Sequence, residues 1–137
     1  MKRRNFLQLT AAAGLMPLAA SAAATLRYQP GVVEALLAEG KTVFVDFYTT
    51  WCVTCRAQGR AIEALRAENP AYDQAMVFVK IDWDIYAGSA IAAKYSIPRR
   101  STLLVLKGDK ELGRNVAGTS KAAIKALMDM GLNAAQS

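Results

Sequence analysis

The chain has 137 residues, a formal net charge of +6, two cysteines and no histidine. A closed zinc site needs four Cys or His ligands, so one chain cannot complete one without carboxylates or a second copy. The lack of histidine also excludes Cys-His nucleophilic pairs and histidine-based acid–base catalysis. No basic stripe is interleaved with aromatic residues, so the positive charge does not indicate binding to nucleic acid.

The first 24 residues have the pattern of an export signal. Three basic residues at positions 2–4 precede a modestly apolar stretch, Leu7–Ala20, and small residues suited to cleavage follow. That stretch is shorter than the roughly 20 residues that span a bilayer. Arg3 and Arg4, followed by Asn-Phe-Leu-Gln, resemble the twin-arginine (Tat) pattern of bacterial export, with an ordinary secretory signal as the alternative. We predict a cleaved signal peptide at residues 1–24, a periplasmic protein, and no stable membrane insertion after cleavage.

The remaining chain, residues 25–137, alternates strand-like and helical patterns and has the length of one domain. Without the signal its net charge falls to +3. In chain order, the predicted elements are a helix from Val32 ending at Gly40, a strand Thr42–Tyr48, a helix Val53–Glu68, a strand Met76–Ile81, a helix Tyr86–Tyr95, a hairpin of strands Thr102–Leu106 and Glu111–Val116, and a helix capped by Thr119 or Ser120. This order predicts an α/β domain whose central mixed sheet is flanked by helices on both faces.

Both cysteines lie in the segment Trp51-Cys52-Val53-Thr54-Cys55, between a predicted strand and a predicted helix. Two intervening residues are typical of a reversible dithiol/disulfide centre, of half a zinc site and of a c-type haem attachment. Haem attachment needs a histidine at position 56, where this chain has arginine. A structural disulfide gains stability mainly by closing a long loop, and this loop is very short. The spacing therefore favours a redox centre.

The position of the pair predicts different roles for its two thiols. Cys52 lies at a helix N-terminus, where unpaired N–H groups and the helix dipole favour a thiolate and lower the pKa from about 8.5 towards about 7. Cys55 lies one turn further on and is better suited to resolve a mixed disulfide. In an oxidising periplasm, such a pair needs a supply of electrons to stay reduced.

Several segments together resemble the thioredoxin family over nearly all of residues 25–137. The resemblance is carried by Val45–Cys55, Val79–Asp82, Tyr95–Ile97, Thr102–Leu104 and Gly118–Lys121. It implies a thioredoxin-like fold and a protein-disulfide oxidoreductase, in which the Cys52 thiolate attacks and Cys55 resolves the mixed disulfide. It also implies protein disulfides or thiols as substrates and no organic cofactor, since the redox-active disulfide carries the electrons.

Asp46 is the third candidate catalytic residue. It matches the buried acid of the family, which helps to deprotonate the resolving thiol. Independently of the resemblance, a carboxylate inside an apolar strand is costly to bury unless it is paired or protonated. Lys80, on the neighbouring predicted strand, is the expected partner, and the alternative is an Asp46 side chain that reaches solvent.

The residues between the cysteines depart from the family's pattern. Val53-Thr54 stands where thioredoxin itself has Gly-Pro and the strong oxidants have Pro-His. Without that His or Pro, nothing obvious makes the thiolate exceptionally stable, which argues against a strong oxidant with a potential near about −120 mV. A valine here is more similar to the periplasmic reductant domains of the DsbD type, so the dipeptide favours a reductant.

The loop expected to face Cys52 departs from the pattern too. In a gapless alignment Ser101 falls at the family's cis-proline, whereas the alternative alignment keeps Pro98 there and inserts residues after it. We favour the gapless alignment, which predicts a trans peptide before Ser101. In either register the loop backbone could pair with a substrate strand. Arg99 and Arg100 could stabilise the thiolate or attract acidic partners, or form a solvated loop tip.

These patterns predict a periplasmic thiol-disulfide oxidoreductase, a reductant rather than an oxidant, that acts as a monomer through Cys52 and Cys55. Trp51 is predicted to contact partner proteins, with a core aromatic role as the alternative. A membrane electron donor of the DsbD type would re-reduce the pair. The alternative functions are a disulfide oxidase or isomerase, and a thioredoxin-fold module whose thiols bind Cu(I), a soft ion that suits cysteine.

Overall fold

The segment Thr42–Tyr48 forms the central strand of a five-stranded mixed sheet. A computed structural model describes residue 14 and residues 24–137, so the predicted signal peptide falls outside the described residues except at positions 14 and 24. The elements in chain order are β1 (Leu26–Arg27), α1 (Val32–Ala38), β2 (Thr42–Tyr48), α2 (Val53–Glu68), α3 (Ala71–Ala75), β3 (Met76–Asp82), α4 (Trp83–Tyr86), α5 (Ala90–Lys94), β4 (Thr102–Lys107), β5 (Lys110–Val116) and α6 (Lys121–Ala135).

The strand order in the sheet is β1-β3-β2-β4-β5. β3 runs parallel to both β1 and β2, whereas β4 runs antiparallel to β2 and to β5. β2 therefore has a partner strand on each side, and the cores on both faces of the sheet explain why its residues form a nearly continuous apolar run. In this register Asp46 of β2 lies opposite Lys80 of β3 and Leu103 of β4.

Helices cover both faces of the sheet, as the sequence predicts. One face of β2 presents Val43, Val45 and Phe47 to a core that also contains residues of α1 and α5. Alternation along the strand turns Phe44 to the other face, where residues of α2, α3 and α6 complete a second core. Asp46 lies on this second face, directly beneath α2. Within the described residues, no helix combines the length and apolar character needed to cross a membrane.

Most predicted boundaries agree with the structure, but of the predicted helix Tyr86–Tyr95 only the second half, α5, is confirmed. Two short helices, α4 and α5, occupy this region, because Gly88 and Ser89 interrupt the helix. The Ser89 hydroxyl then caps α5 by accepting a hydrogen bond from the backbone N–H of Ala92 at 3.4 Å. The short elements β1 and α3 are absent from the prediction. Of the two predicted caps for α6, Ser120 is the one that the structure contains.

Two helical glycines differ in the space around them and provide a test of the packing. A Cβ at Gly131 of α6 would overlap Sδ of Met76 and lie 3.1 Å from Cγ1 of Val105, whereas a Cβ at Gly59 of α2 would meet nothing within 4 Å. Overpacking at Gly131 costs about 1–3 kcal/mol and helix propensity returns up to about 1 kcal/mol, so we expect Gly131→Ala to lower the free energy of unfolding by up to about 2 kcal/mol. Gly59→Ala should raise it by up to about 1 kcal/mol through helix propensity. Urea unfolding measures both, and a more stable Gly131→Ala variant would contradict the described packing.

Candidate active site

The two cysteines lie where β2 ends and α2 begins. Cys52 is the N-cap of α2, and its Sγ accepts a hydrogen bond from the backbone N–H of Cys55 at 3.2 Å. Both side chains are free thiols in the structure, with 4% of Cys52 and 5% of Cys55 exposed. The sheet thus holds a pair of nearly buried sulfurs at the carboxyl end of its central strand, where open α/β sheets carry their sites.

Ser101 bridges the two sulfurs. Its Oγ lies 3.3 Å from Sγ of Cys52 and 3.0 Å from Sγ of Cys55, and its side chain is fully buried. A hydroxyl can accept one hydrogen bond while it donates another. It can therefore accept from the Cys55 thiol and donate to a Cys52 thiolate. Pro98 is exposed, so Ser101 rather than Pro98 lies against the two sulfurs.

The Ser101 backbone adopts the left-handed conformation, with φ of +64°. A residue with a Cβ adopts this conformation at a cost of roughly 1–2 kcal/mol. Three hydrogen bonds hold it there: its N–H donates to the Phe47 carbonyl at 2.7 Å, and its carbonyl accepts from Ala117 N–H at 2.8 Å and from Nε2 of Gln58 at 3.0 Å. The described residues contain no cis peptide bond, which confirms the predicted trans peptide before Ser101.

The surroundings separate the pKa values of the two thiols. Burial raises the pKa of Cys52, but hydrogen bonds from the Cys55 thiol, the Ser101 hydroxyl and the Cys55 N–H, together with the Arg100 side chain, lower it to about 6. Burial raises the pKa of Cys55, and its hydrogen bond to Cys52 raises it further. At neutral pH Cys52 is therefore mostly a thiolate and Cys55 a thiol, an arrangement suited to attack by the first and resolution by the second.

The exposed Trp51 and the half-buried Arg100 form a stack at the rim of the site. The Trp51 side chain is 56% exposed, and its Nε1–H donates to Oδ2 of Asp84 at 2.8 Å. The Arg100 guanidinium lies 4.2 Å from the centre of the indole ring, a cation–π contact. Arg99 turns back and donates its Nε–H to the Arg100 carbonyl at 3.0 Å. Trp51 is thus a surface residue, not a core aromatic.

Asp46 is buried on the α2 side of the sheet, with 5% of the residue exposed. Burial raises its pKa to about 7; the charge of Lys80 acts in the opposite direction, and that of Cys52 raises the pKa further. Lys80 is the cross-strand neighbour, but its Nζ lies 4.3 Å from the centre of the Tyr48 ring. No ion pair within 4 Å joins Asp46 to Lys80 in the described structure. Lys80, the partner expected from the sequence, therefore acts on the Asp46 carboxyl group only through longer-range electrostatics.

A cavity of about 40 Å³ borders Asp46, with Gly59, Glu63 and Lys80 among its lining residues. Oδ1 of Asp46 has no hydrogen-bond partner among the described residues. A volume of this size can hold about three waters, each of which needs roughly 10–15 Å³. Water in the cavity would satisfy the carboxyl group and link it to solvent.

Two residues of the site are absent from the sequence-based prediction. Asp84, at the start of α4, fixes the Trp51 indole, and nothing in the sequence indicates that contact. Gln58 is fully buried in α2, and its Nε2 donates to the carbonyls of Ser101 and Gly118, each at 3.0 Å. A signal for Gln58 does exist, because it follows Cys52 and Cys55 at intervals of three and therefore shares their helix face.

The site offers two sulfurs but no larger set of metal ligands. No group of three or more Cys, Asp or Glu side chains is placed to hold a metal ion anywhere in residues 24–137. The two free thiols and the lowered pKa of Cys52 support the chemistry of a dithiol with one activated sulfur.

Comparison with known proteins agrees with this geometry. A family model described as Thioredoxin matches residues 28–130. Thioredoxin from Echinococcus granulosus is 32% identical over 96 residues, which cover 70% of this chain and 83% of that protein. Thioredoxin-1 from Saccharomyces cerevisiae is 36% identical over 92 residues, which cover 67% and 82%. The crystal structure of Trxlp from Edwardsiella tarda EIB202 matches with a TM-score of 0.65 at 27% identity, covering 76% of this chain and 98% of that one.

The raised pKa of Asp46 predicts how stability depends on pH. Between about pH 4 and pH 7 the folded state binds one proton more than the unfolded state, so the free energy of unfolding falls as the pH rises. At about 1.4 kcal/mol for each pH unit, the loss reaches about 4 kcal/mol. Asp46→Asn should abolish this loss and make the reduced protein more stable than wild type at pH 8.

Urea unfolding at pH 4.5, 6 and 8 measures this effect, with Asp109→Asn in the exposed β4–β5 turn as the matched control. The control should keep the wild-type pH dependence, because Asp109 is exposed. An Asp46→Asn variant that loses stability with pH as steeply as wild type would show that Asp46 is not the group responsible.

Proposed function

Since the chain belongs to the thioredoxin family, we propose that it works in the bacterial periplasm as a dithiol reductant of partner-protein disulfides. The family's chemistry is thiol-disulfide exchange on protein substrates through a redox-active disulfide. The observation that carries the proposal is the contrast between the two thiols, an acidic Cys52 and a Cys55 that keeps its proton.

The reaction follows from this contrast. The Cys52 thiolate attacks one sulfur of the partner disulfide, and the other partner sulfur leaves as a thiolate. Asp46, a buried carboxyl group whose pKa is about 7, takes the proton of Cys55. The Cys55 thiolate then attacks Sγ of Cys52 and displaces the second partner thiol. Two electrons have passed to the partner, and the protein holds the Cys52–Cys55 disulfide.

The thiolate pKa supports a moderately reducing centre. The Cys52 pKa of about 6 lies below the value of about 7 in thioredoxin and far above the value of about 3.5 in the oxidant DsbA. A lower thiolate pKa stabilises the reduced form relative to that of thioredoxin and so moves the potential above about −270 mV. We therefore expect a potential between about −270 and about −200 mV, which allows the protein to donate electrons to less stable disulfides.

The rim of the site is the proposed docking surface. Trp51 and Val53 are 56% and 70% exposed, next to the guanidinium of Arg100. Pro98 is exposed in the same loop, and Ser101 places that loop against the sulfurs. An aromatic face beside a cation suits a partner segment with an apolar residue and an acidic residue near its disulfide.

The periplasmic part of the proposal rests on the predicted signal at residues 1–24. A dithiol in that oxidising compartment would become a disulfide unless electrons reach it. A membrane electron donor of the DsbD type would therefore complete the cycle by reducing the Cys52–Cys55 disulfide.

Trapping and potential measurements test the reductant role. In Cys55→Ala the mixed disulfide cannot be resolved, so covalent partner complexes on Cys52 should accumulate in the periplasm and be released by dithiothreitol. The control is the double variant Cys52→Ala with Cys55→Ala, which has no thiol and should trap no partner. Equilibration of wild type with glutathione should give a potential below about −200 mV. A higher potential together with failure to reduce insulin would favour an oxidase or isomerase.

Substitution of the arginine pair tests the route of export. Arg3→Lys with Arg4→Lys should block export and leave the uncleaved chain in the cytoplasm, because the twin-arginine route requires the pair. The control variant is Lys2→Arg, which also exchanges one basic residue for another but keeps the arginine pair. It should be exported like wild type. Cell fractionation followed by immunoblotting measures both. Normal export of the double variant would indicate an ordinary secretory signal.

A further inference from the structure

Three side chains on one face of α2 converge on Ser101. Cys52, Cys55 and Gln58 follow one another at intervals of three, and each lies within hydrogen-bond distance of Ser101. The two sulfurs contact its hydroxyl, whereas the Gln58 amide contacts its carbonyl. Gln58 is therefore the one member of the three that holds the Ser101 backbone rather than its side chain.

Gln58 also connects two loops that are distant in sequence. A single Nε2 donates to the carbonyl of Ser101, which precedes β4, and to the carbonyl of Gly118, which follows β5. Both N–H groups of the amide are thereby used. Oε1 is buried without a partner in the described structure, which costs about 1–3 kcal/mol. An apolar side chain would fill this position without that cost, so the buried amide indicates a role in holding the loops.

We propose that Gln58 is a positioning residue of the dithiol centre: its amide ties the Ser101 and Gly118 loops to α2 and so keeps the Ser101 hydroxyl between the two sulfurs. The inference rests on thiol-disulfide exchange at Cys52, but not on compartment, partner or direction of electron flow.

The conformation of Ser101 explains why the loop needs such a tie. Its φ of +64° is costly for a residue with a Cβ. The contacts of its hydroxyl with sulfur are weak when the sulfur is uncharged. They weaken during the reaction, because Cys52 loses its charge when the mixed disulfide forms. The hydrogen bond from Gln58 to the carbonyl does not depend on the charge of the sulfurs, so it holds Ser101 throughout the cycle.

The reactivity of Cys52 provides the test. Gln58→Met removes both donated hydrogen bonds at nearly constant volume, and Ser101→Ala removes the hydroxyl alone. We expect both variants to raise the pKa of Cys52 towards about 7. At pH 6 the thiolate fraction would then fall from about a half to about a tenth, so iodoacetamide should alkylate Cys52 about fivefold more slowly. The double variant should show no further loss, because Gln58 acts through Ser101.

The pH dependence of alkylation, followed at Cys52 by peptide mass spectrometry, distinguishes this role from a merely structural one. The other titratable or charged groups that act on Cys52 are Cys55 of α2, Arg100 of the loop and Asp46 of β2, and neither variant replaces any of them. Gln74→Met, on the exposed side of α3, is the matched control and should leave the profile unchanged. Urea unfolding reports separately on stability.

A wild-type profile in folded Gln58→Met, with a shifted profile in Ser101→Ala, would overturn the positioning role. Unshifted profiles in both variants would overturn it as well. If Gln58→Met does not fold, hydrogen exchange on wild type decides: the Gln58 side-chain amide should exchange slowly in the reduced and the oxidised protein, and fast exchange in either form would refute the proposal. Failure of wild type to reduce insulin would instead refute the proposed reductant role.

Discussion

One hydroxyl group between two sulfurs is the contact on which the site depends. The Ser101 Oγ lies between the sulfurs of Cys55 and Cys52, and its hydrogen bond, together with the Arg100 side chain of the same loop, helps to lower the pKa of Cys52 to about 6, whereas burial keeps the pKa of Cys55 raised. That placement requires a left-handed backbone, which the Phe47 carbonyl, the Ala117 N–H and Gln58 hold from three sides. The asymmetry of the pair thus arises from a loop distant in sequence as well as from the helix N-terminus that carries Cys52.

The buried carboxyl group sets a second constraint, because its charge and that of the thiolate oppose one another. A charged Cys52 raises the pKa of Asp46, which burial has already raised. Two acidic groups with pKa values near 6 and 7 therefore compete for protons within one site, and their titrations are coupled. Lys80, held over the Tyr48 ring, moderates this competition without forming a direct ion pair.

Local patterns were sufficient for much of the fold. The apolar run of β2 and the periodicity of α2 predict both elements at their observed ends, because β2 is buried on both faces and α2 has one apolar face. The prediction of one helix over Tyr86–Tyr95 fails in its first half, because a run of small residues does not show that the backbone turns at Gly88 and Ser89. β1 pairs only two residues, too few to show alternation.

The site shows the same division between local and long-range information. Cys52, Cys55 and Asp46 follow from spacing and from the cost of burying a charge, both of which a sequence displays. The contacts of Trp51 with Asp84 and of Gln58 with two carbonyls join segments that are remote in the chain. Only the assembled sheet brings these groups together, so no local pattern predicts them.

The long sequence separations within the site have a consequence for the newly made chain. Ser101 lies 46 residues beyond Cys55, and Gly118, whose carbonyl Gln58 also binds, lies 60 residues beyond Gln58. Contacts of this range form only once the intervening strands have paired, since the chain must first lose the entropy of closing long loops. Until then the Cys52 thiol lacks the Ser101 hydroxyl and the Arg100 side chain, which help to lower its pKa in the folded protein. High nucleophilicity at neutral pH is thus acquired at the end of folding, and an unfinished chain is spared from exchanging disulfides indiscriminately with its neighbours.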